Sequence, residues 1–180
     1  SVKKSFLEEI MKGIITGCEA AGAQLSGGET AEMPDLYSED SFDLAGFTVG
    51  LVEKDKLLPK QEKIKTGDPV FGLPSSGIHS NGFSLARNAL ENACEESWKT
   101  LLEPTIIYVR HMKPILRADI ISSAAHITGG GLYANLKRVL PEGLNPHLHW
   151  NWPVPAIFSE IQKSAAIEDN EMRKVFNMGI

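Results

Sequence analysis

Three glycine-rich loops hold most of the residues that could do chemistry. The first is Gly27-Gly28-Glu29-Thr30, followed by Glu32. Paired glycines let backbone approach a ligand closely, and a carboxylate supplies the hard oxygen that Mg²⁺ takes. Nucleotide phosphates need such charge neutralisation during phosphoryl transfer. A plain turn with Glu29 solvated, or capping a neighbour, explains the same residues, because glycine-rich motifs recur widely. The second loop is Ser75-Ser76-Gly77-Ile78-His79-Ser80-Asn81-Gly82. If a helix opens after it, backbone N–H groups with the Ser76 and Ser80 hydroxyls suit a phosphate-like anion. His79 is the one side chain there that exchanges a proton near neutral pH. The alternative has Ser80 or Asn81 capping the helix and His79 as an ordinary loop residue. The third loop, Thr128-Gly129-Gly130-Gly131, follows His126 and Ile127. Consecutive glycines are entropically costly to order, which points to backbone in close contact with a ligand or a neighbouring strand. His126 lies in an apolar run and reads as a satisfied core histidine.

Other candidates carry less. His147 and His149 are two apart, so on a strand they share a face and could chelate a metal, but no third ligand is placed. His111 falls on a mixed helix face, and Trp98, Trp150 and Trp152 read as packing residues. No serine sits in a GxSxG elbow, so a hydrolase triad has no support. Cys18 and Cys94 form no CxxC pair, the pattern of a reduced, cytosolic-type protein.

These loops need elements to hold them. Phe6, Leu7, Ile10, Met11, Ile14, Ile15 and Cys18 recur at helical spacing, with Gly22 placed to cap the end. A short strand over 23–25 and a second over 42–52 should follow. The charged stretch 54–66, containing Pro59, reads as a linker between domains. Beyond it come a strand over 68–73 and helices over 83–93 and 107–116, with Pro114 near the end of the latter. A helix from the third loop to Val139 and a strand over 144–150 come next. Pro155 then opens a helix through Ile161. Strands alternating with helices predict an α/β (α+β layered) protein. The opening helix begins at once, and Val175–Ile180 reads as the entrance to a buried strand, so the chain is expected to be cut at both ends.

Of the 180 residues, 42% are hydrophobic and 23% charged, as in ordinary globular domains. The net charge of −5 gives no electrostatic reason to expect nucleic acid or an anionic membrane as partner. The basic start, Ser1-Val2-Lys3-Lys4-Ser5, runs into Glu8, Glu9 and Lys12, which suits an amphipathic helix and not a signal peptide.

Taken together, the motifs are specific. Gly27-Gly28-Glu29-Thr30-Ala31-Glu32-Met33-Pro34 with Ala45-Gly46-Phe47-Thr48-Val49-Gly50 resembles aminoimidazole ribonucleotide synthetase. So do Ser75 through Leu85, Ala125 through Gly131, Asn135 through Pro141, and Phe176-Asn177-Met178-Gly179, all in order. The resemblance implies a two-domain subunit of that superfamily fold, truncated at both ends. Residues 1–58 would be the C-terminal part of an N-terminal domain that binds ATP and forms the homodimer. Residues 59–180 would be an incomplete C-terminal domain that helps close over the substrate. It also implies the reaction: ATP-dependent cyclisation of formylglycinamidine ribonucleotide, with Mg²⁺, in a cytoplasmic enzyme.

By that resemblance Gly27, Gly28, Glu29 and Thr30 contact ATP, Glu29 holding the metal. Ser76, Gly77, Ser80, Asn81, Gly82, Thr128, Gly129, Gly130 and Gly131 line the substrate or phosphoryl site, and His79 is its acid/base or charge-stabilising group. The chain departs from the family pattern in a shorter stretch over 90–102. Ile106 stands where an Arg is expected, Met178 for a Cys and Ile180 for a Val. The lysine- and aspartate-bearing nucleotide loops of the family lie upstream, so the chain alone is expected to be inactive. Other ATP-using superfamily members, such as selenide or thiamine-phosphate kinases, are the nearer alternative. A catalytically dead fragment or interaction module of the same fold is the more distant one.

Overall fold

A computed structural model describes residues 4–33, 35–38 and 41–180. Ser1 to Lys3 and Pro34, quoted in the motifs above, lie outside the described residues. Contacts divide the chain into two compact units, Ser1–Asp55 with Ile107–Ala118, and Lys56–Ile106 with Asp119–Ile180.

The first unit is built on α1 (Lys4–Ala21) packed against α4 (Val109–Ala118). The helical spacing of Phe6 to Cys18 produces α1, and Gly22 ends it in the left-handed region at φ +64°. There the Gly22 and Ala23 N–H groups donate to the carbonyls of Glu19 and Cys18 at 3.1 and 2.9 Å, satisfying acceptors that a helix end leaves open. Phe6 meets Phe42 edge to face, with centroids 5.1 Å apart. Pro114 lies inside α4, which runs on to Ala118 instead of stopping near the proline.

Among the described residues no strand pairs with another. The segments expected as strands, 23–25, 42–52, 68–73 and 144–150, run as irregular chain. Alternation identifies the two faces of a strand but supplies no partner, and a strand exists only through its neighbour's hydrogen bonds. Phe47, Val49 and Leu51 share one such face and are 94%, 79% and 102% exposed.

The second unit holds the core. It comprises α2 (Phe83–Ala89), α3 (Glu95–Leu101), α5 (Gly131–Val139), α6 (Ala156–Ser164) and α7 (Asp169–Val175). Helix α6 packs on α2, α3 and α7, and α5 packs on α7. Phe158, Phe176, Leu90, Ile161 and Met172 are fully buried at the centre, Phe158 meeting Phe176 edge to face at 5.8 Å. Burying side chains of this kind contributes about 1.5–3 kcal/mol each. Pro155 precedes α6 as expected and serves as its N-cap.

Two α-helices were not expected, and both are short and charged. In α3, Glu95 and Glu96 occupy the first turn and Glu95 pairs with Lys99 at 2.9 Å. In α7, Asp169 and Glu171 open the helix while Arg173 and Lys174 close it, matching the helix dipole. The helix expected over 83–93 ends at Ala89, leaving a turn before α3.

The boundary between the two units falls inside the charged stretch 54–66, after Asp55, and Lys60 of that stretch is docked on the second unit. Lys60 is 9% exposed, and its ammonium donates to Asp119 at 2.5 Å while its N–H donates to the Ser122 carbonyl at 2.7 Å. The chain end turns back in the same way. Phe176, Asn177 and Gly179 are buried, and the Ser75 N–H donates to the Gly179 carbonyl at 3.0 Å.

Candidate functional site

The loop 75–82 leads into α2, and glycine is required at its last position. Gly82 is the N-cap, at φ +87°, and a Cβ there would lie 2.3 Å from the Phe176 ring. No side chain caps α2, so neither Ser80 nor Asn81 has the capping role considered above. Ser80 is exposed, and Asn81 donates from Nδ2 to Ser80 Oγ at 3.2 Å. Ser76 Oγ donates to the Pro104 carbonyl at 2.8 Å.

His79 is held from several sides. It is 7% exposed and in the left-handed region at φ +56°. Its Nε2 accepts the Ser76 N–H at 3.2 Å and faces the Ile106 N–H at 3.5 Å. Backbone donors on Nε2 require a lone pair there, so in the neutral ring the proton sits on Nδ1. Burial pushes the imidazole pKa below its usual value, and nearby His126 adds to the effect. His126 itself is exposed, not a core histidine, because its short apolar run crosses the surface between unpaired segments.

The loop 128–131 leads into α5. Gly130 caps it at φ +98°, and Gly131 follows at φ +67° with no room for a side chain, since a Cβ would lie 1.8 Å from the Arg173 carbonyl oxygen. Buried Asn135 of α5 gathers the loop. Its Nδ2 faces the carbonyls of Thr128, Gly129 and Gly131 at 3.2, 3.3 and 2.8 Å, and its Oδ1 accepts from Thr128 Oγ1 at 3.3 Å. A second buried amide serves the other loop. Asn177 Nδ2 donates to the Gly77 carbonyl at 2.9 Å, and its Oδ1 accepts from Ser75 Oγ and the Gly179 N–H at 3.0 and 2.8 Å.

The two loops meet, for a Cβ on Gly129 would stand 3.6 Å from Asn81 Oδ1. The second unit thus brings together Asn81 and Gly129, with His79 in the same loop as Asn81. Gly27, Gly28, Glu29 and Thr30 belong to the first unit, where all are exposed and a Cβ on either glycine would meet nothing within 4 Å. Sequence reasoning did not single out Asn135 and Asn177 as the residues that hold the two loops. The available signal was position: Asn135 shares the buried stripe of α5 with Leu132, where an amide is out of place unless it is fully hydrogen-bonded.

Among the described residues, no group of three or more His, Cys, Asp or Glu side chains could hold a metal ion. The rings of His147 and His149 stack at 4.6 Å. The Trp150 and Trp152 rings lie 5.0 Å apart, the Arg173 guanidinium lies over Trp150 at 4.6 Å, and Trp152 Nε1 donates to the Met178 carbonyl at 2.9 Å.

The family model for the AIR synthase related protein C-terminal domain matches residues 65–180, and that for the N-terminal domain matches residues 1–52. The chain is similar to the phosphoribosylformylglycinamidine cyclo-ligase of Shouchella clausii, 49% identical over 187 residues, covering 97% of this chain and 54% of the relative. The same-named protein of Pseudothermotoga lettingae is 51% identical over 185 residues, again covering 97% and 54%. That of Bacillus subtilis is 46% identical over 187 residues, with the same coverage. The chain spans about half the length of these curated relatives.

Proposed function

The chain belongs to the AIR synthase related protein family, and on that premise we propose that the whole protein cyclises formylglycinamidine ribonucleotide to aminoimidazole ribonucleotide. ATP is consumed and ADP and phosphate are released, in purine biosynthesis. The γ-phosphoryl group of ATP passes to the formyl oxygen, turning a poor leaving group into a good one. The amidine-derived nitrogen attacks the same carbon, phosphate departs with that oxygen, and the ring closes. Nucleophile and electrophile share one molecule, so holding the chain in a bent conformation is most of what a protein must do.

The observation that carries this reading is the meeting of loops 75–82 and 128–131 at Asn81 and Gly129, both next to glycine-capped helix starts. Ser76, Gly77, Ser80, Asn81 and Gly82 with Thr128, Gly129, Gly130 and Gly131 contact the substrate or the transferring phosphoryl group. His79 is the acid/base or charge-stabilising group. Its neutral ring takes a proton at Nε2 only after releasing the Ser76 N–H. Gly27, Gly28, Glu29 and Thr30 contact ATP. Glu29 is a single exposed carboxylate and does not by itself compose a Mg²⁺ site, which draws further oxygens from phosphates and water, so no step is routed through the ion.

The same premise supports an α/β superfamily fold in which segments such as 42–52 pair with chain belonging to the longer protein. Residues 1–58 then close an N-terminal ATP-binding and dimer-forming domain, and 59–180 form part of the C-terminal one. No helix among the described residues is long and apolar enough to cross a membrane, and a cytoplasmic homodimer without nucleic-acid partners fits the reading. The test is ATP-dependent cyclisation by the full-length protein, wild type against His79→Ala and Glu29→Ala. Ring closure lost in both folded variants supports the two-loop assignment. ATP hydrolysis that needs some other acceptor overturns the substrate.

A further inference from the structure

We infer that Asn135 and Asn177 are positioning residues that turn the two loops toward an anion, an inference that rests on the phosphoryl-site reading above. Both side chains are buried, at 3% and 4% exposure, and both are spent on loop backbone. Asn135 Nδ2 draws in the carbonyls of Thr128, Gly129 and Gly131, and Asn177 Nδ2 draws in that of Gly77. The peptides concerned are trans, Leu58–Pro59 being the cis bond. In a trans peptide the C=O and the following N–H point in opposite directions. The N–H groups of Gly129, Gly130 and Leu132 therefore point away from Asn135, and that of Ile78 points away from Asn177.

An anion loop has to present N–H dipoles and hide its carbonyls, since carbonyl oxygens facing a phosphate would repel it. Each asparagine does the hiding from the protein side. The orientation of each amide is fixed by its partners. Asn135 Oδ1 accepts from Thr128 Oγ1 and Arg138 at 3.3 Å each, and Asn177 Oδ1 accepts from Ser75 Oγ and the Gly179 N–H, so each Nδ2 is left to face carbonyls. Neither asparagine touches the substrate in this arrangement. They act through the backbone they hold.

The experiment is titration of the full chain with inorganic phosphate, followed by the amide NMR signals of Ile78, Gly129 and Gly130. The variants are Asn135→Leu and Asn177→Leu, which keep size and neutrality while removing the donors. Wild type should show saturable shifts, and each variant, folded by circular dichroism, should bind phosphate at least about tenfold more weakly. Asn135→Ser and Ser75→Ala are milder versions that decide the matter if the leucine variants do not fold; a few-fold weakening supports the inference. A folded variant with wild-type phosphate affinity overturns it. A wild-type chain whose loop amides ignore phosphate overturns the phosphoryl-site reading, and this inference with it.

Discussion

Gly82 and Phe176 are fitted to each other so closely that the glycine's missing Cβ is space occupied by the ring, 2.3 Å from where that atom would be. The contact ties the start of α2 to the residue that follows α7. It places the geometry of loop 75–82 under the control of the core, because Phe176 is itself fully buried against Phe158.

Gly82→Ala should destabilise the chain by about 2–5 kcal/mol. Left-handed backbone costs a non-glycine residue about 1–2 kcal/mol, and overpacking adds about 1–3. Urea unfolding measures the change. A loss under about 0.5 kcal/mol would mean that the ring moves aside freely.

Phe176→Ala attacks the same contact from the other side. Removing a fully buried phenyl ring costs about 3–5 kcal/mol. Thermal unfolding should show it, and Gly82→Ala added to that variant should cost less than in the wild type, because the clash partner is gone.

The depressed pKa of His79 makes stability depend on pH. The folded state resists protonation, so its contribution is complete above the unfolded value of about 6.5 and is lost as pH falls through the lower folded value. Melting temperature should therefore decline on acidification below about pH 6.5. His79→Gln, which keeps an acceptor but cannot titrate, should flatten that limb. An unchanged slope in the variant would assign the decline to other groups.

Asp119 works in the same direction at lower pH. Its hydrogen bond and charge pairing with Lys60 hold its carboxyl below the ordinary value, so that contribution is present above about pH 4 and lost as pH falls further. Asp119→Asn should weaken the acid dependence below about pH 4 and leave Lys60 buried without its counter-charge. Acid titration of tryptophan fluorescence compares the two proteins.

Cys94 is exposed, and its thiol pKa is lowered chiefly by the hydrogen bond with Ser97, 3.4 Å away. Glu160 lies on the same Ser97 hydroxyl and competes for its single proton. Ser97→Ala should slow alkylation of Cys94 by iodoacetamide at pH 7 a few-fold, while Cys18 reacts at its former rate. Peptide mass spectrometry separates the two sites.

Much of the second unit was legible because its punctuation is chemical. Gly82, Gly130 and Gly131 stand where two helices begin, and Pro155 where a third does, each for a backbone reason visible in the residue type. Helix α1 was legible from spacing and α5 from its glycines. Helices α3 and α7 were hidden because each buries only a residue or two, so neither displays a long apolar stripe. The strands expected over 42–52 and 68–73 depend on partners that no local pattern names. The burial of Lys60 within the stretch 54–66 was not legible, since its counter-charge, Asp119, lies far along the chain. The asparagine roles needed coordinates, for an amide looks the same in sequence whether it faces water or three carbonyls.

The stretch from Arg173 to Gly179 has a consequence for how the protein can vary. Arg173 abuts Gly131, Phe176 abuts Gly82, Asn177 holds Gly77, and Gly179 receives the Ser75 N–H. It works as a ruler laid across both loops, with graduations that must keep their spacing. A one-residue insertion there would put one loop or the other out of register, whatever residue was inserted. Length changes are tolerable in the turn between α2 and α3, which touches neither loop through such contacts. Drift in this molecule is thus freer in length at one end of α2 than anywhere between Arg173 and Gly179.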